Sequence, residues 1–223
     1  QAAQIVLLDS DFSRMPEIVL EGRRVVNNVQ RSASLFLVKN LFSLLLTIFS
    51  TVLMISYPLM PSQVSLISMF TIGIPGFLLA LEPNKSRIKG HFLGNVLLKA
   101  LPAGLTDFFA VSALVICGHV FNIPSTDIAT ASTLLIAVVG FMIMIKISHP
   151  FNNFKYGILA LNIFGLIFCG LFLDNLFAMS DMSNICILLT IVFGFAAESM
   201  FRYITIFVEF IQNRMRKKKN ALR

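Results

Sequence analysis

The chain has 223 residues, of which 57% are hydrophobic and only 13% charged. A soluble domain carries about a quarter charged residues, so this composition, with a mean hydropathy of +0.83, excludes an ordinary water-soluble globule. The formal net charge of +7 would suit a polyanion, but the basic residues lie at the ends of apolar runs, which speaks for a membrane and against nucleic acid.

In chain order, Ala2–Leu8 is a short apolar run closed by Asp9-Ser10-Asp11, a strand-then-turn pattern. From Ser13 onward the sequence predicts a long helix. Ile18, Val19, Val25, Val26 and Val29 are its apolar positions, and Arg14, Arg23, Arg24 and Arg31 mark its polar faces. With no breaker before Ala33, it runs into the first apolar span. It reads equally as a stalk carrying motion into the bilayer or as a helix lying on anionic headgroups.

Six apolar spans follow, each near the ~20 residues that cross a hydrocarbon core. They are placed at 34–57, 63–82, 99–121, 128–147, 156–174 and 184–211, which predicts an all-α membrane protein built as a six-transmembrane-helix bundle. Connections with Pro58 and Pro61, with Pro124, and from Asp174 to Ser183 close three hairpins on one side and carry no Lys or Arg. Lys85, Arg87, Lys89, Lys99, Lys146, Lys155 and the tail from Arg214 lie on the other, so the positive-inside rule puts both termini in the cytoplasm. The units are thus 1–32, a cytoplasmic entry segment; 33–213, the membrane domain; and 214–223, a basic tail for anionic lipid. The first residue is Gln1 rather than Met, and the opening thirty residues read as cut from a larger domain.

The second span, Ser62–Asn84, is broken by Gly73-Ile74-Pro75-Gly76. Pro75 has no N–H and its ring crowds the carbonyl one turn back. Ser68 and Thr71, three apart, present hydroxyls on one face just before the break. Freed carbonyls beside hydroxyl oxygens suit a dehydrated cation; a kink that only shapes packing is the other reading. Ionisable residues inside spans are expensive and mark function or partnered structure. Lys39 adjoins Asn40, with Ser43 on the same face, making a polar notch in the first span. Asp107 in the third is a counter-charge to Lys39 or an interhelical hydrogen-bond partner. Glu198 and Arg202, four apart, form an intrahelical pair. Cys117, Cys169 and Cys186 sit in apolar stretches without CxxC spacing and read as small hydrophobes. No phosphate loop, HExxH or nucleophile triad occurs, so hydrolytic power must come from outside this stretch.

Ala2-Ala3-Gln4-Ile5-Val6-Leu7-Leu8-Asp9-Ser10-Asp11-Phe12, then Glu21-Gly22-Arg23 and Asn27-Asn28, resemble the segment that leaves the phosphorylation domain of P-type cation-transporting ATPases and enters their fifth transmembrane helix. SLFLVKN and TIGIPGFLLALEPN are most similar to a bacterial branch that includes calcium exporters. The resemblance covers essentially the whole chain. It implies a C-terminal portion of such a pump: the fifth to tenth helices, a short stalk and a remnant of the phosphorylation domain, in a bacterial plasma membrane. It implies ATP and Mg²⁺ acting on missing N-terminal domains of the same pump, and a transported cation, foremost Ca²⁺. By position it implies cation ligands at Asn40, Ser43, Ser68 and Thr71, a helix break at Gly73 and Pro75, and Lys39 as a built-in counter-charge, as in proton/potassium pumps of the family. The sixth-helix aspartate of the family is Ile72 here, which puts two-calcium chemistry in doubt. Pumps for Mg²⁺, Mn²⁺, K⁺ or H⁺, an ATP-independent channel or secondary transporter, and a non-transporting scaffold are the alternatives.

Overall fold

The computed structural model describes residues 12–82, 84–88 and 91–221, with the side chains of 213 and 215–221 left aside. The predicted strand and turn over Ala2–Asp11, and most of the basic tail, lie outside what is described. Among the described residues there is no strand. After a 3₁₀ turn at Phe12–Arg14 come α1 (Met15–Val52), α2 (Pro61–Ser68), a π-turn (Met69–Gly73), α3 (Ile74–Leu81), α4 (Phe92–Val120), α5 (Ser125–Ser148), α6 (Asn153–Phe172), α7 (Asp174–Phe177) and α8 (Asn184–Ala221). Six helical stretches are long and apolar enough to span a bilayer, the second being α2, the π-turn and α3 taken together. The chain is an integral membrane protein.

α1 is one uninterrupted helix of 38 residues, about 57 Å long at 1.5 Å per residue. The predicted continuity from Ser13 into the first span is present, with Pro16 in the first turn, where its missing N–H costs nothing. The helix ends at Val52, earlier than the predicted 57, where Met54 takes a left-handed conformation with φ 54°. The third span starts seven residues before its predicted Lys99, and Asp174–Phe177 forms a short separate helix rather than the end of the fifth span.

The core is built around α4 and α5. In their most apolar windows 61% and 72% of residues are buried by protein, against 17% for α8, so α4 and α5 are central and α8 is peripheral. α1 and α4 make the most extensive contact. Small residues permit it: Ala100, Ala103 and Gly104 lie on the contact face of α4, and a Cβ on Gly104 would sit 2.8 Å from Leu41 Cδ2. Leu35, Val38, Ala100, Ala103, Leu135 and Val139 belong to one buried cluster. The outer faces of α6 and α8 carry Phe164, Phe168, Phe172, Phe195 and Phe207, apolar surface that suits lipid chains.

Both ends of the bundle are closed by side chains bonded to backbone. At one end, buried Gln63 accepts from the Met60 N–H at 3.0 Å and donates to the Ala178 carbonyl at 2.8 Å. There too Asp127 accepts from the Ser183 N–H at 2.9 Å. At the other end α1 grips the end of α3. Arg31 Nη1 donates to the Leu79 carbonyl at 2.9 Å, Asn28 Nδ2 to the Ala80 carbonyl at 3.1 Å, and Asn27 Nδ2 to the Asn84 and Ser86 carbonyls at 3.0 and 2.9 Å. The last carbonyls of a helix have no partner within it and carry its negative dipole end; a guanidinium answers both needs. Beside them, Lys155 pairs with Glu82 at 3.1 Å and Asn152 donates to Glu82 at 2.6 Å, tying α6 to the same place.

Candidate functional site

The predicted break in the second span takes the form of a π-turn. Five residues, Met69–Gly73, hold the wider helical form, and the Ile74 N–H bonds back to the Met69 carbonyl. The helix is therefore not unwound at Gly73 and Pro75, as the GIPG sequence suggested. It is over-wide for one turn, and Pro75 enters α3 at its second position. Pro75 has no N–H to give to a carbonyl of this turn. π-turns inside α-helices occur often at functional sites.

The π-turn borders a cavity of about 40 Å³ in the middle of the bundle, between α1, the second span, α4 and α5. A cavity needs roughly 10–15 Å³ for one water, so this one takes a few waters or a partly dehydrated ion. Its polar wall is Lys39, Ser68, Thr71 and Asp107; the remainder is apolar, including Val38, Phe42, Ile67 and Ile72.

The hydroxyls are oriented by the helix itself. Ser68 Oγ donates to the Val64 carbonyl at 2.6 Å and Thr71 Oγ1 to the Ile67 carbonyl at 2.8 Å. With their protons turned back onto the helix, what they can offer the cavity is oxygen lone pairs. Asp107 is 1% exposed, and among the described residues its Oδ1 has no hydrogen-bond partner and no ion pair reaches it. Lys39 lines the same space without a salt bridge to Asp107. The two charges share a cavity, but they are not joined.

Of the sequence-predicted site residues, the fold thus brings together Lys39, Ser68, Thr71 and Asp107. It does not bring in Asn40 and Ser43. Asn40 is exposed on the outer face of α1, and Ser43 Oγ lies 3.3 Å from the Tyr57 hydroxyl. The stripe of α1 that lines the cavity runs through Leu35, Val38, Lys39 and Phe42; at about 100° per residue, Asn40 lies about 200° round the helix from Val38, beyond the edge of that stripe. Ile72, at the position of the missing aspartate, lines the cavity and contributes no oxygen.

Gly140 of α5 was invisible to motif reading. It lines the cavity, and a Cβ there would lie 2.7 Å from Thr71 Cγ2. No local signal in VVGF marks it, because its role depends on a residue seventy positions away. Glu198 and Arg202 do pair, at 3.6 Å, on the outer face of α8 and away from the cavity. The cysteines are free thiols. Among the described residues no three His, Cys, Asp or Glu side chains converge, so oxygen donors around a single carboxylate are what the cavity can supply.

The chain matches no family model. It is 33% identical over 180 residues, 77% of its length, to a "probable cation-transporting ATPase" of Streptococcus pneumoniae, covering 23% of that protein. It is 34% identical over 164 residues, 67% of its length, to a calcium-transporting ATPase of Mycolicibacterium smegmatis, covering 21% of it. A calcium-transporting ATPase of Bacillus subtilis matches at 27% over 82 residues, 37% of this chain and 9% of that protein. The chain spans less than a quarter of the length of these relatives. Six membrane-spanning helices and these likenesses agree, and over the portion it spans the chain belongs to the P-type cation-transporting ATPases.

Proposed function

We propose that this chain is the membrane part of an ATP-driven cation pump, and that the cavity beside the π-turn is on the path of the ion. The observation that carries this reading is that Ser68, Thr71, Lys39 and Asp107 line one small cavity beside the π-turn. Hard cations are held by several oxygen ligands. Calcium is the leading cargo, supported by the names of two relatives; Mg²⁺, Mn²⁺, K⁺ and H⁺ are the alternatives. ATP and Mg²⁺ act in domains outside this chain, and α1, entering the bundle as one rod, carries their motion to the site. The protein sits in the bacterial plasma membrane with both ends cytoplasmic, and Lys39 is the internal counter-charge when no ion is bound.

The test is cation-stimulated ATPase activity of the purified pump that contains this chain, with CaCl₂, MgCl₂, MnCl₂ and KCl titrated separately. The expected result is stimulation by one of these, with a raised half-maximal concentration in Thr71→Ala and a smaller rise in Ser68→Ala. Stimulation unchanged in both variants removes the ion from this cavity. ATP-independent uptake of the same ion into vesicles would instead establish a channel or secondary transporter.

A further inference from the structure

α4 has a charge where its surroundings are apolar. Asp107 lies within a helix of 29 residues whose buried face is mostly apolar, with Ala100, Ala103, Ala110, Val111 and Leu114. The next polar side chain on that helix, Thr106, satisfies itself by donating to the Pro102 carbonyl at 2.7 Å. Asp107 has no such solution. It is nine-tenths buried and more, it lines the cavity, and its Oδ1 is unpartnered. An ionised carboxylate taken out of water without a partner costs several kcal/mol, and within a membrane span such a group is by default functional. α4 is seated closely on α1 at Gly104, one turn from Asp107, where a Cβ would lie 2.8 Å from Leu41 Cδ2.

We propose that Asp107 is a direct ligand of the transported cation, the carboxylate of the site and one supplied by α4. This deepens the reading of the cavity as the ion's path and rests on it. In that arrangement the Ser68 and Thr71 oxygens complete part of the coordination, and the cation takes up a carboxylate whose Oδ1 has no hydrogen-bond partner among the described residues. Lys39 reaches the same cavity and is the internal competitor for that carboxylate. Such a site makes an unusual pair of demands on a variant. Replacing the carboxylate by a neutral isostere relieves the apo protein and removes the cation's grip at the same time. A merely structural aspartate behaves in the opposite way, because its loss would unpair whatever it held.

The experiment is thermal unfolding of the purified pump, without nucleotide, as a function of CaCl₂, KCl, MgCl₂ or MnCl₂ concentration. Wild type, Asp107→Asn, Thr71→Ala and Ser112→Ala are compared. Ser112 is a buried α4 hydroxyl that does not line the cavity. A cation that binds the folded state raises the melting temperature with its concentration. The expected result is a cation-dependent rise in wild type and Ser112→Ala. In Asp107→Asn the apo melting temperature should be equal or higher, and the cation midpoint shifted by about thirtyfold or more, the lower end of what removing one member of a buried charge pair costs. A midpoint unchanged in Asp107→Asn but raised in Thr71→Ala would overturn the assignment of Asp107 while leaving the cavity as the ion site. A midpoint unchanged in both would overturn the cavity reading, and with it this proposal. A lower apo melting temperature in Asp107→Asn with an unchanged midpoint would make Asp107 structural.

Discussion

Thr71 has its hydroxyl proton committed to the Ile67 carbonyl and its methyl pressed toward Gly140. Both constraints fix where its oxygen can be. Gly140→Ala would bring a Cβ within 2.7 Å of the Thr71 methyl carbon, closer than carbon atoms tolerate, so Thr71 must turn. The expected outcome is a rise in the half-maximal cation concentration of the pump without loss of any oxygen from the cavity. Thr71→Ser removes the offending methyl and keeps the hydroxyl, so in the double variant part of the affinity should return. The two changes should be non-additive in a cation titration, as contacting residues are. Gly104→Val acts through a different neighbour, Leu41, and disturbs the contact between α1 and α4. It should lower the melting temperature of the pump, overpacking a close contact typically costing about 1–3 kcal/mol.

Among the elements, α1 holds the end of α3 by side chains bonded to its last carbonyls. Arg31 is 7% exposed and donates to the Leu79 carbonyl. Arg31→Met keeps the aliphatic packing and deletes the charged donor, leaving that carbonyl only the Glu82 N–H at 3.3 Å. Hydrogen bonds to charged groups contribute about 1.5–3 kcal/mol, so the melting temperature should fall by several degrees. If the contact also transmits motion, ATP turnover should lose its dependence on cation while cation binding, read by thermal shift, persists. The sequence marked Arg31 only as a basic residue flanking a span. Its partner is a backbone atom at the end of another helix, and no side-chain pattern announces a carbonyl. The spans themselves were legible because each is a run of apolar residues of bilayer length, and the entry of α1 into the membrane was legible because nothing between Ser13 and Val52 breaks a helix. That Asn40 and Ser43 do not line this cavity was not legible, because which stripe of α1 faces it, here Leu35, Val38, Lys39 and Phe42, depends on how α1 packs on the other helices. The form of the break at Gly73-Pro75 was not legible either. The same four residues are compatible with an unwound segment, a kink or a π-turn, and packing against α1, α5 and α6 decides.

For the whole molecule, orientation follows from where the cations are. Lys85, Arg87, Lys146 and Lys155 gather at the end where α1 enters, while the connections at 53–60, 121–124 and 173–183 have none. In a variant with the native cysteines replaced, Asn122→Cys should react with an impermeant thiol reagent added to intact cells, and Lys85→Cys only after permeabilisation. The reverse pattern would invert the topology. One further consequence concerns the π-turn. A π-turn holds one residue more than an α-helical turn of the same rise would need, so the two halves of this span are out of phase with each other. The half before it, α2, is seated against α5 and α7, and the half after it, α3, against α6 and α1. Deleting a single residue from 69–73 would give a smoother helix and rotate one half by about 100° relative to the other. Then α2 and α3 could not both keep their seats. Leu79 would turn from Arg31, or Gln63 from Ala178. The surplus residue is the phase setting that lets one helix answer to both ends of the membrane.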